Sequence, residues 1–234
     1  MDNYFNFGGM SLLQDLVKVF YPPACYGCGK ILVTHEYFIC STCELDLPVT
    51  DFNTHPDNAV MQQLWGKAKV ESAQAYLYFQ KSGITQNLMH HLKYRGVKSL
   101  GVFLGERYAD TLIIQPDYVI PVPLHKKKLK KRGYNQSELF AKGLTNKLGC
   151  RLMTDNLYRT RFTETQTNKS RYERWENVKG VFALKQPELL EGKTILLVDD
   201  VVTTGATLIA CAEVLNQVPE CKVHIATIAY AVDT

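Results

Sequence analysis

Thr194-Ile195-Leu196-Leu197-Val198-Asp199-Asp200-Val201-Val202-Thr203-Thr204-Gly205-Ala206-Thr207 is the stretch that decides the fold. Thr194 to Val198 is an apolar run with no alternation, the pattern of a strand covered on both faces. Two adjacent acids follow at its carboxyl end, where open α/β sheets place their ligands. Thr203 to Thr207 then form a small, hydroxyl-rich turn that opens a helix from about Ala206 to Asn216, with Leu208, Cys211, Ala212 and Leu215 in register. Backbone N–H groups, hydroxyls and a helix N-terminus together cradle a phosphate dianion. Gly205 lets the backbone approach that ligand without a Cβ.

Acids beside an anion site are costly unless something cationic or hydroxylated lies between them. A ribose 5-phosphate meets this condition. Its phosphate takes the turn, and the acids accept hydrogen bonds from the 2- and 3-hydroxyls. A divalent metal bridges what remains. The alternative is a strand-to-helix turn with incidental acids.

Outward from this stretch, Val223 to Tyr230 reads as a closing strand. Tyr118-Val119-Ile120 is a short strand ending in Pro121-Val122-Pro123, and Asn135 to Leu148 is helical with Phe140, Ala141, Leu144 and Leu148 inward. Val70 to Gln80 suits a strand, and Thr85 to Thr111 one or two helices broken at Gly96. Strands alternating with helices predict an α/β fold, a parallel sheet flanked by helices. Upstream, residues 11 to 20 place Leu12, Leu13, Leu16, Val17 and Phe20 on one helical face, stopped by Tyr21-Pro22-Pro23. The expected organisation is a helix and cysteine module over 1–50, a linker over 51–70 and the α/β domain over 71–234.

Four of the seven cysteines are clustered: Cys25, Cys28, Cys40 and Cys43. Each C-x2-C pair sits in a tight turn that aims two thiolates at one point. Two such turns close a tetrahedral cage for structural Zn²⁺ with no open catalytic position. Gly27 and Gly29 give the knuckle its backbone freedom. A redox pair is the alternative. Cys150, Cys211 and Cys221 lie in apolar surroundings and read as core thiols.

The chain has 234 residues, 46% hydrophobic and 21% charged, which excludes wholesale disorder. Its apolar runs fall short of a bilayer span, so no membrane insertion is expected. Asp2 and Asp15 make a poor secretory signal, so a cytoplasmic address is expected. Net charge is +4 but uneven: residues 123 to 180 hold 15 of the 27 Lys and Arg and only 5 of the 23 acids, a local excess of +10 against −6 elsewhere. A basic middle suggests a polyanionic partner, either phosphate-bearing small molecules or nucleic acid, unless it is a solvated lysine-rich loop. Tyr134, Tyr158, Phe162, Tyr172 and Trp175 interleave with these cations. They are either packing residues or stacking platforms for single-stranded DNA.

The run Ile195 to Thr207 resembles the phosphoribosyl-pyrophosphate (PRPP) motif of type I phosphoribosyltransferases. Further segments resemble the ComF family, the competence-associated branch with an N-terminal zinc-binding module. They are the four-cysteine module, Leu92-Lys93-Tyr94-Arg95-Gly96, Pro121-Val122-Pro123-Leu124, Lys131-Arg132-Gly133-Tyr134-Asn135-Gln136, and the pattern from Arg159 and Arg161 through Thr165-Gln166, Arg174 and Asn177 to Gly180-Val181-Phe182. The family usually has an Arg-containing run after Pro-Val-Pro-Leu; here Lys126, Lys127 and Lys128 follow His125, and arginine is delayed to Arg132.

The resemblance implies PRPP binding by Asp199, Asp200, Val202, Thr203, Thr204, Gly205, Ala206 and Thr207, with Asp199 and Asp200 as the catalytic acids and Mg²⁺ entering with PRPP. It implies a pyrophosphate-binding loop after Tyr118–Pro123, with Lys128, Lys131 or Arg132 neutralising the leaving group. It also implies a lid over Arg159 to Asn177 carrying Arg161 and Arg174. The expected activity is phosphoribosyl transfer to an unidentified nucleophile. The alternative is a single-stranded DNA handling factor in DNA uptake that uses the same fold and basic loops. A protein partner is expected at the zinc module. Glutamine-dependent chemistry is not expected, because no N-terminal catalytic cysteine follows Met1-Asp2-Asn3.

Overall fold

Apolar strands without alternation need cover on both faces, and the arrangement of helices supplies it. The computed structural model describes residues 22–160 and 180–231. The chain divides into two units, residues 1–47 and 48–234. The expected helix over 11–20 and the lid arginines Arg161 and Arg174 lie outside the described residues, as do Phe162, Tyr172 and Trp175.

Among the described residues of the first unit, helix α1 (Ser41–Leu45) is five residues long, and the rest of the order comes from turns and the isolated bridges Ala24↔Ile31 and Tyr37↔Ile39. Gly29 takes φ +78° in the first knuckle, and its N–H donates to the Cys25 carbonyl at 2.8 Å. Among the described residues of this unit, Leu32 and Ile39 are the buried hydrophobic side chains apart from cysteine. That is too little to hold a fold alone.

The second unit begins with α2 (Ala59–Leu64), β1 (Ser72–Phe79), α3 (Ile84–Tyr94) and α4 (Lys98–Ala109). It continues with β2 (Tyr118–Pro121), α5 (Lys126–Arg132), α6 (Gln136–Leu148) and β3 (Arg151–Leu152). Strands β4 (Leu157–Arg159) and β5 (Phe182–Leu184) form a separate antiparallel pair. Then come β6 (Thr194–Val202), α7 (Ala206–Leu215) and β7 (Lys222–Ala231). The main sheet has the order β1-β7-β6-β2-β3 with every pair parallel.

This order locates the ligand crevice. From β2 the chain crosses through α6 to β3 on one side, and from β6 it crosses through α7 to β7 on the other. Right-handed crossovers in opposite directions put α6 and α7 on opposite faces. The crevice opens where the two directions part, outside the carboxyl ends of β2 and β6. Ile195 and Leu197 join Leu208, Ile209 and Leu64 in one core layer. Leu196 and Val198, also buried, point to the other face.

On that other face α4 and α6 cross at two glycines. A Cβ on Gly105 would lie 2.3 Å from the Phe140 carbonyl oxygen, and one on Gly143 2.1 Å from that of Val102. The helices touch backbone to backbone, and Tyr108 stacks between Tyr76 and Phe140 at centroid distances of 5.1 and 6.1 Å.

A linker is expected over 51–70, from the Pro-, Asn-, Asp- and Thr-rich composition of 46–60, but the segment is folded. Phe52, Val60 and Leu64 are buried in the core. Asn58 caps α2, accepting from Val60 and Met61 N–H, and donates to the Ala73 carbonyl at 2.9 Å. Polar residues that resemble linker composition serve here as turn and cap groups. Cys211 is fully buried as expected; Cys150 and Cys221 are only partly buried, and of these Cys221 packs against the core. Both sit at element ends, where cover is incomplete. Strand β6 runs four residues past Val198, because β7 is long enough to pair with it as far as Val202↔Tyr230. Asp199 and Asp200 therefore ride on a paired strand. Among the described residues no helix is long and apolar enough to cross a membrane.

Candidate functional site

Pro121 pairs with Val198, so β2 ends where the acid pair begins. Val122 to Leu124 continue along one wall of a cavity of about 600 Å³. Asp199, Asp200 and Thr207 face it from β6 and α7, while Lys128, Lys131 and Arg132 face it from α5. Inside the turn itself lies a recess of about 40 Å³ lined by Asp199 and by residues 201–208, including Thr203, Thr204, Gly205 and Ala206. Gly205 takes φ +72° as the N-cap of α7. Val202 is buried in the core and borders the recess.

The acid pair is held by several groups. Ser137 Oγ donates to Asp199 Oδ1 at 2.8 Å, and the Asp200 N–H donates to the same oxygen at 2.8 Å. Asn135 fixes Ser137: its Oδ1 accepts from Ser137 N–H at 3.2 Å, and its Nδ2 donates to the Val122 carbonyl at 3.0 Å. Lys93 Nζ reaches Asp200 Oδ2 at 3.0 Å.

Burial pushes the Asp199 carboxyl up from 3.8 to about 7, and repulsion from Asp200 adds to it. Hydrogen bonds from Asp200 N–H and Ser137, and the charge on Lys93, oppose the shift. A raised acid favours the protonated folded state. This contribution to stability is fully present below the ordinary value of 3.8 and is lost as pH rises through about 7. In ligand-free protein, Asp199→Asn is expected to raise the melting temperature at pH 8 by about 5 °C while leaving it nearly unchanged at pH 4. Equal shifts at the two pH values would remove this account.

The resemblance implies a pyrophosphate-binding loop after Tyr118–Pro123; residues 122–125 are neither helix nor strand, and residues 126–132 form a helix. His125 caps it, with Nδ1 accepting from Lys127 N–H at 3.2 Å, and Gly133 ends it at φ +79°. Lysine has a high helix propensity, so a cap at each end suffices to wind the run. Lys128, Lys131 and Arg132 line the cavity, Arg132 half-buried, while all the lysines of the helix are exposed.

Arg159, expected in a lid, ends β4 and also lines the cavity, with its guanidinium 5.2 Å from the Phe182 ring centroid. Burial pulls its pKa below the ordinary arginine value, opposed by Cys211 and Asp199. Tyr134 is only 9% exposed, and its hydroxyl donates to the Leu92 carbonyl. It supports the wall and is no free stacking platform. Tyr158 is 38% exposed.

Lys93, Tyr94 and Ser137 are the site residues that spacing did not mark. Lys93 and Tyr94 lie in the Leu92–Gly96 motif, so that motif was the available signal. The Tyr134–Leu92 bond joins it to Lys131–Gln136, 42 positions apart.

In the first unit the sulfurs of Cys25, Cys28, Cys40 and Cys43 all lie within 4.8 Å of one another. Tetrahedral zinc with bonds of about 2.3 Å sets its sulfurs about 3.8 Å apart, and Cys28 and Cys40 stand at 3.7 Å. Gly27 and Cys40 N–H groups donate to Cys25 Sγ at 3.3 and 3.2 Å. Burial works against ionisation of Cys25, yet these backbone bonds outweigh it and lower its pKa to about 7. The cluster is compatible with structural zinc.

A family model described as a phosphoribosyl transferase domain matches residues 134–233. The DNA utilization protein YhgH of Escherichia coli is 41% identical over 100 residues, 43% of this chain and 43% of that protein. The chain thus spans under half the length of that relative. Competence protein F of Haemophilus influenzae is 27% identical over 227 residues, 93% of this chain and 94% of that protein. Competence protein ComFC of Bacillus subtilis is 26% identical over 188 residues, covering 79% and 68%. Among solved structures, the allosteric regulatory enzyme of purine biosynthesis aligns at 21% identity and a TM-score of 0.44 over 60% of this chain and 30% of that one. With the parallel sheet and the four-cysteine cluster already in place, the matches to the competence and DNA utilization proteins and to the phosphoribosyl transferase domain support a ComF-family, phosphoribosyltransferase-like protein.

Proposed function

We propose that the second unit binds PRPP across the carboxyl ends of β2 and β6 and transfers its phosphoribosyl group to a nitrogen nucleophile. The observation that carries this reading is one cavity in which two carboxylates face five cations beside a phosphate-sized turn. The cations are Lys93, Lys128, Lys131, Arg132 and Arg159. In this reading the 5-phosphate sits on Thr203 to Thr207 and the ribose hydroxyls donate to Asp199 and Asp200. The diphosphate lies among Lys128, Lys131 and Arg132. The bond from C1 to the diphosphate oxygen breaks with its electron pair leaving on that oxygen, and the nucleophile's lone pair forms the new bond at C1. A carboxylate below the ring stabilises the positive charge that develops between these events.

Mg²⁺ fits this site, because a paired carboxylate set is a hard-oxygen donor set. Asp199 and Asp200 are the residues that would meet it, and it would neutralise diphosphate charge when bound. In the first unit the four cysteines hold one structural Zn²⁺ in this reading.

Calorimetric titration with PRPP and Mg²⁺ is expected to show saturable binding that weakens at least about tenfold, roughly 1.4 kcal/mol, in Asp199→Asn/Asp200→Asn. No heat from the wild-type protein, or an unchanged double variant, rejects the reading.

A second reading, single-stranded DNA handling, is supported by the rim of the same cavity. Tyr94 is 67% exposed, with the Arg132 guanidinium 5.6 Å from its ring centroid and the His90 ring at 5.3 Å. Exposed aromatics beside cations stack bases of single strands. The names of the competence and DNA utilization relatives agree with a role on DNA. On this reading Arg132→Ala reduces both the affinity for an oligonucleotide and the steepness of its decline with salt.

A further inference from the structure

A phosphate bound at the turn beside Asp199 and Asp200 would bring three negative groups into one crevice. Such an arrangement needs a counter-cation, and in PRPP chemistry a divalent metal is the usual source. Here the chain supplies one of its own. Lys93 Nζ lies 3.0 Å from Asp200 Oδ2, with the two side chains 22% and 19% exposed, so the pair is largely screened from water. Both residues line the cavity. Asp199 is held separately, by Ser137 and by the Asp200 N–H.

The position of Lys93 is built in. It stands in the last turn of α3, where a cation is favoured by the helix dipole. Its neighbour Leu92 is fully buried, and the Leu92 carbonyl accepts from Tyr134. Gly96 at φ +74° turns the chain away just beyond. The backbone is therefore clamped on both sides of Lys93, and its ammonium spans to a strand 107 positions later.

We infer that Lys93 is the resident counter-cation of the Asp199–Asp200 pair, so that the site grips a ribose 5-phosphate without a divalent metal. This rests on the proposed phosphoribosyl reading and refines it. Mg²⁺ is then needed for the diphosphate of PRPP and not for the sugar monophosphate. With Asp200 neutralised in place, the ribose hydroxyls meet acceptors whose charge no longer repels the incoming phosphate. Lys93 acts through Asp200 and is a positioning residue.

The test is calorimetric titration of the full chain with ribose 5-phosphate, once in EDTA and once in excess MgCl₂. The wild type is expected to bind equally in both, within about twofold. Lys93→Gln is expected to bind at least about tenfold more weakly in EDTA and to recover part of that loss with Mg²⁺. Lys93→Arg, which keeps the charge, is expected to bind in EDTA like the wild type, and unchanged melting temperatures show that all three are folded. Wild-type binding that appears only with Mg²⁺ overturns the inference, as does a Lys93→Gln variant that binds normally in EDTA. Either result can occur while PRPP with Mg²⁺ still binds, which leaves the phosphoribosyl reading standing. Absence of binding by PRPP and ribose 5-phosphate alike rejects that reading, and this inference with it.

Discussion

Stripping zinc from the protein is expected to unfold residues 22–47 and leave the α/β unit intact. Among its described residues the first unit buries three of its four cluster cysteines together with Leu32 and Ile39, and has one five-residue helix. Such a segment cannot offset its chain entropy by apolar burial. Structural zinc supplies on the order of 10 kcal/mol in comparable small modules, so on the proposed zinc reading the metal would decide whether residues 22–47 fold. Hydrogen exchange after chelation is expected to show fast amides at Gly27, Gly29 and Cys40, now bonded to Cys25 or its carbonyl. Strand amides around Leu197 are expected to stay protected. Cys43→Ser, which removes a buried ligand, should reproduce the effect without a chelator. Retained protection over 22–47 in metal-free protein would show that zinc is not what holds the unit.

The second large effect is expected at the crossing of α4 and α6. Gly143→Ala sets a Cβ 2.1 Å from the Val102 carbonyl oxygen and 2.9 Å from Gly105 Cα. Both obstacles are backbone, so no side chain can swing aside and the helices must separate. A loss of about 3 kcal/mol or more and a fall in melting temperature of roughly 6–12 °C are expected. The neighbouring exposed Lys142→Ala should stay within about 0.5 kcal/mol. The consequence reaches the site, because α6 carries Ser137, whose hydroxyl holds Asp199. Ligand affinity should therefore fall along with stability. A Gly143→Ala protein that melts like the wild type would mean that the helices do not touch there.

Chain order by itself determined what depends on neighbours along the chain. The apolar run into two acids, the hydroxyl-rich turn and Gly205 specify a strand, a ligand end and a helix start within one continuous segment. The cysteine spacing specifies a four-sulfur cage for the same reason, since each knuckle closes within a few residues. Composition misled where polar residues serve folded structure, as Asn58 does at the start of α2. Nor does composition mark the helix at 126–132, which is wound between His125 and Gly133.

Tertiary structure alone decided which distant groups share the cavity. Lys93 reaches Asp200 across 107 positions, Ser137 reaches Asp199 across 62, and Arg159 enters from the end of β4. No local pattern marks these meetings. They arise because the crossovers from β2 and β6 run in opposite directions, opening a crevice at their carboxyl ends into which α3, α5, α6 and β4 each deliver a side chain. The glycine contact of α4 and α6 is of the same kind, since a missing Cβ acquires meaning only when another backbone arrives against it.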